Sequence, residues 1–212
     1  MIMRILVVIG ICILSYFLGC FSTARVLAKS FKHLNVYKIG SGLADITNIY
    51  NNISKTLGIF AGILDIAKMF VYIKILEYLF SIPFSQTGFS VFHFFTFNNL
   101  SNEILLFTFG FFLLAGHCLP ITHGFKGGRG IFTYSGLMFV FIPYQMLGIL
   151  IFAGLLVIFF RQFRFAQFMI VLLPPILCYF LGIESKLVTL MTFTAVLMGF
   201  LNFLVSKRLG EF

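Results

Sequence analysis

Long apolar runs alternate with short polar stretches along the whole chain. In order, the apolar runs cover residues 5–26, 56–80, 103–119, 131–143, 146–160, 165–181 and 187–205. A helix needs about 20 apolar residues to cross a bilayer, and several of these runs meet that length. The pattern predicts an all-α, polytopic membrane protein with about seven transmembrane helices, forming a single integral-membrane domain over residues 1–212. The first run has a signal-peptide flavour, with Arg4 before it and Gly19-Cys20 near its end. It is long for a signal peptide, and Phe17 is a poor residue three before the cysteine, so it reads as an uncleaved helix. Residues 81–102 are mixed. Their run Phe92-His93-Phe94-Phe95 is too short to span, which predicts an interfacial segment with His93 at the surface. Pro174-Pro175 inside the sixth run predicts a kink.

Composition agrees with the pattern. The chain is 60% hydrophobic and 10% charged, with a mean hydropathy of +1.07, where a soluble domain carries roughly a quarter charged residues. The net charge of +9 would suggest nucleic acid in a soluble protein. Here most cations sit in short loops and act as topology signals, so no nucleic-acid partner is expected. With seven spans, Arg25, Lys29, Lys32, Lys38, Lys55, Lys126, Arg129, Arg161, Arg164, Lys207 and Arg208 fall on one side, against Arg4 and Lys186 on the other. The positive-inside rule then places the N-terminus outside and the C-terminus in the cytoplasm. The expected location is the inner (plasma) membrane, multi-pass, with the site facing the cytoplasm. The cysteines Cys12, Cys20, Cys118 and Cys178 form no C-x-x-C pair, so no metal is expected and they read as small hydrophobes.

Two polar segments share the cytoplasmic face. Residues 116–130, between the third and fourth runs, hold Gly116, His117, Lys126, Gly127, Gly128, Arg129 and Gly130. Glycines let bare N–H groups approach a ligand, and the two cations suit an anion with several oxygens, such as a phosphate or acyl-phosphate. A tight basic turn between helices, with no ligand, fits the same residues, and both readings stay open. The Walker spacing is absent. Residues 38–55 hold Gly40-Ser41-Gly42, a turn, and then Thr47-Asn48. Asp65 and Lys68, three apart in the second run, share a helix face; an internal ion pair and a cavity wall are both readings of them, and the cavity wall is preferred. Lys74 reads as a snorkelling side chain near the far surface.

The pattern Gly40-Ser41-Gly42-x₄-Thr47-Asn48, followed by Gly116-His117-x-x-Pro120-x₄-Phe125-Lys126-Gly127-Gly128-Arg129-Gly130, resembles the first two motifs of the acyl-phosphate:glycerol-3-phosphate acyltransferases (PlsY). Those motifs read roughly GSGNxGATN and GHxxPxxxxFKGGKG. The resemblance extends through Leu57-Gly58 and Asp65-Ile66-x-Lys68, and Asn202 matches the Asn of a third, C-terminal motif in which Gly199 stands for a His. It implies transfer of a fatty acyl group from acyl-phosphate to the 1-hydroxyl of glycerol-3-phosphate, giving lysophosphatidate and phosphate at the bilayer surface without a cofactor. It further implies His117, Lys126 and Ser41 as catalytic groups, with His117 a base or orienting group for the attacking hydroxyl; a capping histidine that closes the end of the third run is an equal reading of His117. Gly40, Gly42, Thr47, Asn48, Gly127, Gly128, Arg129 and Gly130 would bind substrate phosphate, and Asp65, Lys68 and Asn202 would line the cavity. His123 has no counterpart in the motif and reads as a loop residue. Asp45 and Asn51 stand where the first motif and its flank carry Gly and Arg, so either a neighbour such as Lys38 or Lys55 pairs with Asp45 or the phosphate sits elsewhere.

Two other classes fit the residues: a paralogue that binds a lipid phosphate or other anion without acyl transfer or with another substrate, and a small transporter gated by the glycine turn. Transporters of this size usually show an internal repeat and a midplane site, and this chain shows neither. The oligomeric state is left open, a monomer included. The charge bias makes the topology testable by reporter fusion. A reporter after Phe212 should be cytoplasmic and one inserted near Gly88 should be outside; a cytoplasmic Gly88 reporter contradicts the seven-span arrangement.

Overall fold

The computed structural model describes residues 2–81 and 99–208. The predicted interfacial run with His93 lies outside the described residues, as do residues 209–212. The described helices are α1 (Ile2–Gly19), α2 (Thr23–Lys32), α3 (Ile46–Asn52), α4 (Lys55–Ser81), α5 (Asn99–Cys118), α6 (Ile131–Phe141), α7 (Pro143–Phe160), α8 (Phe163–Phe180) and α9 (Ser185–Arg208). Among the described residues, five segments are long and apolar enough to cross a membrane: Ile5–Lys32, Glu103–His123, Pro143–Phe160, Phe163–Phe180 and Ser185–Lys207. The second and fourth of the expected runs became helices too. However, α4 holds Asp65, Lys68 and Lys74, and α6 has only 11 residues.

The first apolar run is two helices rather than one. The chain breaks after Gly19, and the Ser22 side chain accepts from the Arg25 N–H at 3.2 Å, starting α2 afresh. His33, with φ 53°, closes α2 in the left-handed region. This second helix buries Thr23, Ala24, Leu27 and Ala28 and leaves Lys29 and Lys32 outside. Pro143 opens α7 directly after α6, a position where its missing N–H costs nothing. Helix α8 continues through Pro174 and Pro175, both buried. Lys74 bonds Glu77 at 2.7 Å on the exposed face of α4, so its charge is paired rather than simply extended to the surface.

Helix α1 packs most extensively on α5, α4 on α6, α7 on α8, and α8 on α9, while α3 rests on α4. Phe109, Leu113, Leu114, Tyr134, Leu137 and Met138 are fully buried at the centre. A second cluster, including Ala24, Leu27, Val36, Ala44 and Ile49, sits under the polar segment. The outer faces are as apolar as the core: Ile158, Phe159 and Phe180 are more than two-thirds exposed. Such a surface matches hydrocarbon rather than water, and this is an integral membrane protein.

The α1–α5 contact depends on two glycines. A Cβ on Gly19 would lie 3.0 Å from the Gly116 Cα and strike the Leu113 carbonyl, and one on Gly116 would strike the Tyr16 carbonyl. Small residues at this crossing let the backbones touch, which is how helices associate without a hydrophobic drive between them. Just beyond the crossing, the Tyr16 hydroxyl donates to the Leu119 carbonyl at 2.6 Å and accepts from the Ile121 N–H at 3.2 Å. The glycine crossing thus holds the start of the 116–130 turn. Gly116→Leu should separate the helices at a cost of roughly 1–3 kcal/mol, read as a thermal midpoint several degrees lower in micelles. An unchanged midpoint would mean that the crossing tolerates a side chain.

Candidate active site at the polar end of the bundle

The 116–130 segment leaves α5 at Cys118, makes a short 3-10 turn over Ile121–His123, and re-enters the bundle at Gly130. Gly130 has φ 72° and caps α6, a conformation that glycine adopts without strain. Gly127 and Gly128 lie against the end of α5. The Gly128 N–H donates to the His117 carbonyl at 3.2 Å. A Cβ on Gly128 would be 2.8 Å from His117 Nε2 and 2.9 Å from the Ala44 carbonyl. Gly128 is therefore where the two polar segments touch, and only a bare backbone fits there.

Asn48 organises the other segment. Its Nδ2 donates to the carbonyls of Leu43 at 2.9 Å and Ile39 at 3.0 Å, and its Oδ1 accepts from the Ser41 N–H at 3.3 Å. Gly40, with φ 53°, presses against the Asn48 and Asn52 amides. Asn48 and Gly40 thus shape the loop that presents Ser41 and Gly42. Asp45 caps α3 by accepting from the Asn48 N–H at 2.8 Å. Its other oxygen lies 3.8 Å from Arg129 Nε. The expected cation partner exists, but it is Arg129 rather than Lys38 or Lys55. Both lysines are exposed, whereas Gly128 and Gly130 bring Arg129 beside the Asp45 cap.

Some of the residues implied by the motifs line one of two cavities, while Gly40, Asn48, Gly128, Lys68 and Asn202 line neither. A narrow slot, with a free volume of only about 10 Å³, is lined by Asp45, Thr47, Asp65, His117, Arg129 and Gln167, with Gly130 beside them. An outer cavity of about 400 Å³ is lined by Tyr37, Ser41, Gly42, Phe125, Lys126 and Gly127. His117 therefore sits apart from Ser41 and Lys126, and no lining residue is common to the two cavities. Asn202 lines neither. Its amide donates to the Arg129 carbonyl at 3.2 Å and its side chain borders a groove between α8 and α9.

Asp65 anchors the slot. It is 1% exposed, and its Oδ1 accepts from the Thr23 hydroxyl at 2.6 Å and lies 3.9 Å from His117 Nδ1. That Nδ1 is buried and makes no hydrogen bond among the described residues. Lys68 does not line the slot. Its ammonium, 4.0 Å from Asp65 Oδ1, donates to the Phe21 carbonyl at 3.0 Å, filling the break between α1 and α2. Two further residues join the site without belonging to any motif. Gln167 on α8 donates to Thr47 Oγ1 at 3.0 Å, joining α8 to α3 across the slot; a lone amide within an apolar run was the available signal. Tyr37 stacks on His123 and lines the outer cavity, and its buried hydroxyl has no hydrogen-bond partner among the described residues. Burial pushes the Tyr37 phenol above its ordinary value, against the pull of Arg25, so it stays a hydrogen-bond donor at neutral pH.

A family model described as glycerol-3-phosphate acyltransferase matches residues 9–208. A glycerol-3-phosphate acyltransferase of Endomicrobium trichonymphae is 28% identical over 188 residues, covering 88% of this chain and 83% of the relative. One from Mycoplasma mycoides subsp. mycoides SC is 31% identical over 129 residues, covering 60% of this chain and 44% of the relative. Measured against that relative and one from Ureaplasma urealyticum serovar 10, matched over 49% of its length, the chain spans about half the length of the curated protein. The crystal structure of PlsY (YgiH), an integral membrane glycerol 3-phosphate acyltransferase, in its glycerol 3-phosphate form, superposes with a TM-score of 0.70. It covers 95% of this chain and 88% of that one at 22% identity, a likeness of fold.

The Asp45 geometry separates capping from charge. Asp45→Asn keeps an N-cap acceptor and should leave stability within a few tenths of a kcal/mol, while Asp45→Ala should cost about 1 kcal/mol. Equal thermal midpoints for the two variants would show that the cap carries no weight.

Proposed function

The chain belongs to the glycerol-3-phosphate acyltransferase family, and on that premise we propose that it moves a fatty acyl group from an acyl-phosphate to the 1-hydroxyl of glycerol-3-phosphate. The hydroxyl oxygen bonds the acyl carbonyl carbon, the bond from that carbon to the phosphate oxygen breaks, and phosphate leaves with the bonding pair. The hydroxyl proton passes to a base, and lysophosphatidate and inorganic phosphate result. The reaction needs no cofactor.

One observation carries this reading: the polar slot opens onto an apolar crevice. Ile46, Thr47, Phe132 and Gln167 line both. The crevice, about 330 Å³, runs between Ile63 and Ile66 of α4, Ala153 and Val157 of α7, and Ile170 of α8. A donor with a fatty tail and a phosphate head matches that junction, with the tail in the crevice and the acyl carbonyl at Thr47 and Gln167. Arg129 then offsets the charge that develops on the departing phosphate. His117, whose buried Nδ1 lies 3.9 Å from Asp65 and makes no hydrogen bond among the described residues, receives the hydroxyl proton. Lys126, Ser41 and the Tyr37 hydroxyl hold the phosphate of glycerol-3-phosphate in the outer cavity. Asn48 and Gly40 shape the loop that carries Ser41. The bundle then has seven spans, its N-terminus outside, and its polar end in the cytoplasm at the inner membrane.

A substrate-shifted paralogue is the second reading, and Asp45 is what favours it. A carboxylate in the slot, paired with Arg129, lowers the attraction for a dianionic phosphate. The two readings part on a simple assay: purified chain in micelles with palmitoyl-phosphate, following phosphate release with and without glycerol-3-phosphate. Acceptor-dependent release is expected. Lys126→Ala should lower kcat/KM by about 100-fold, the size of a lost charge-assisted phosphate contact, with the fold intact. Normal activity in Lys126→Ala would reduce the turn to a structural element, and no release from wild type would leave the paralogue.

A further inference from the structure

Two half-buried side chains stand where the slot and the crevice meet, and they are bonded to each other. Gln167 Nε2 on α8 donates to Thr47 Oγ1 on α3 at 3.0 Å. Both residues line the slot and the crevice. A hydroxyl carries one donor hydrogen and two acceptor sites, and a primary amide carries two donor hydrogens. Because its oxygen accepts from Gln167, Thr47 keeps its own hydrogen for another acceptor, and Gln167 keeps its second N–H. Among the described residues no other group takes either hydrogen. The pair is also braced. Tyr50, three residues after Thr47, packs its ring on Phe163, four residues before Gln167, with centroids 5.6 Å apart. Those two residues are neighbours of Thr47 and Gln167 on the same helix faces, so a second contact one turn away fixes how α3 and α8 face each other.

We propose that the Thr47 hydroxyl and the second Gln167 N–H form a two-point clamp on the carbonyl oxygen of the acyl donor, which makes both residues catalytic. The clamp rests on the acyl-transfer reading and adds to it the groups that carry the developing charge. As the acceptor hydroxyl oxygen bonds the carbonyl carbon, the C=O π pair moves onto the carbonyl oxygen. When the bond from that carbon to the phosphate oxygen breaks, the pair re-forms C=O and phosphate leaves with its own bonding pair. The carbonyl oxygen is most negative between those two events. Donors fixed in advance, in surroundings of low dielectric, stabilise that charge without reorganising. Apart from Tyr50, the side chains that line the crevice with Thr47 and Gln167 are apolar. Two donor atoms 3.0 Å apart suit one oxygen lying about 2.9 Å from each, an ordinary hydrogen-bond distance. In an apolar setting a donor without an acceptor is costly, and an acyl carbonyl is the acceptor that a fatty tail in the crevice brings to this point. Gln167 lies outside the motifs, so the clamp joins a motif residue to one that only the fold supplies.

The test uses the full-length chain in nanodiscs and a palmitoyl phosphonate labelled with ¹³C at its carbonyl. A C–P bond replaces the scissile C–O bond in this probe, so it keeps the carbonyl and does not transfer its acyl group. Isotope-edited infrared spectra should show the ¹³C=O stretch lowered on wild type relative to the probe in protein-free nanodiscs, the mark of hydrogen bonds to that oxygen. Thr47→Val and Gln167→Leu should each give back part of the shift. With palmitoyl-phosphate and glycerol-3-phosphate, Thr47→Val should lower kcat about 100-fold, the size of one lost oxyanion donor, and Thr47→Ser should recover most of that loss. Gln167→Glu separates a clamp from a brace. An ionised glutamate accepts from the Thr47 hydroxyl, so the link between α8 and α3 survives while both donor hydrogens are lost. Its kcat should fall at least about tenfold below that of Gln167→Leu. A Gln167→Glu variant with near-normal kcat, an unshifted carbonyl on wild type, or an equal shift on wild type and Thr47→Val would each overturn the clamp. Should a variant misfold, the wild-type spectrum still decides. An inert chain that shifts the carbonyl sinks the transfer reading alone, and an active chain that leaves it unshifted sinks the clamp alone.

Discussion

A carboxylate inside a membrane helix must be compensated, and the polar end of this bundle is built around that requirement at Asp65. Burying an unpaired charge costs several kcal/mol even after relaxation. Two groups supply the compensation, and a third lies close by. Thr23 at the start of α2 donates at 2.6 Å and Lys68 lies 4.0 Å away on α4 itself, while His117 at the end of α5 comes within 3.9 Å without a hydrogen bond among the described residues. Each partner imposes a position. The Thr23 contact fixes how the chain turns after the break in α1. The Lys68 ammonium closes that same break through the Phe21 carbonyl. His117 is held where α5 ends, with one ring nitrogen beside Gly128 and the other beside the carboxylate. The carboxylate thus ties the break after α1 to the end of α5, alongside the Ser22 cap and the Gly128 contact.

From that anchor the two polar segments follow as one unit. Gly128 admits the close approach of the 116–130 turn to the 44–45 backbone, and the Asp45–Arg129 pair spans the same contact. Arg129 is thereby aimed into a slot and across to a groove, instead of outward with Lys126. The helices supply what the slot lacks. Through Gln167, α8 joins the polar slot to the apolar crevice beside it.

Much of this was legible in the sequence because membranes impose simple periodic constraints. The apolar runs predicted the helices, the 116–130 motif predicted the turn, and the spacing of Asp65 predicted a charge facing the bundle interior. What escaped prediction depends on contacts between distant residues. The first run split because Ser22 could cap a new helix while Gly19 crossed α5, and a hydropathy pattern does not see a cap. Lys38 and Lys55 were plausible partners for Asp45 by proximity in the chain, but Arg129 reaches it across the Gly128 contact. Asn48 and Gly40 have the residue types of a phosphate site, yet the Asn48 amide bonds the loop carbonyls and Gly40 packs on the neighbouring amides. Tyr37 and Gln167 belong to no motif, and only the fold turns them toward the cavities.

If the slot joins an acyl group from a phosphate donor to a phosphate-bearing alcohol, the acylated product is its direct signature. Purified full-length chain is incubated with palmitoyl-phosphate and glycerol-3-phosphate labelled with ¹³C, and the lipids are analysed by mass spectrometry. Labelled palmitoyl-lysophosphatidate in one-to-one proportion with released phosphate is the expected result. Free palmitate as the main product, or phosphate release with no label in any lipid, would contradict acyl transfer at the slot.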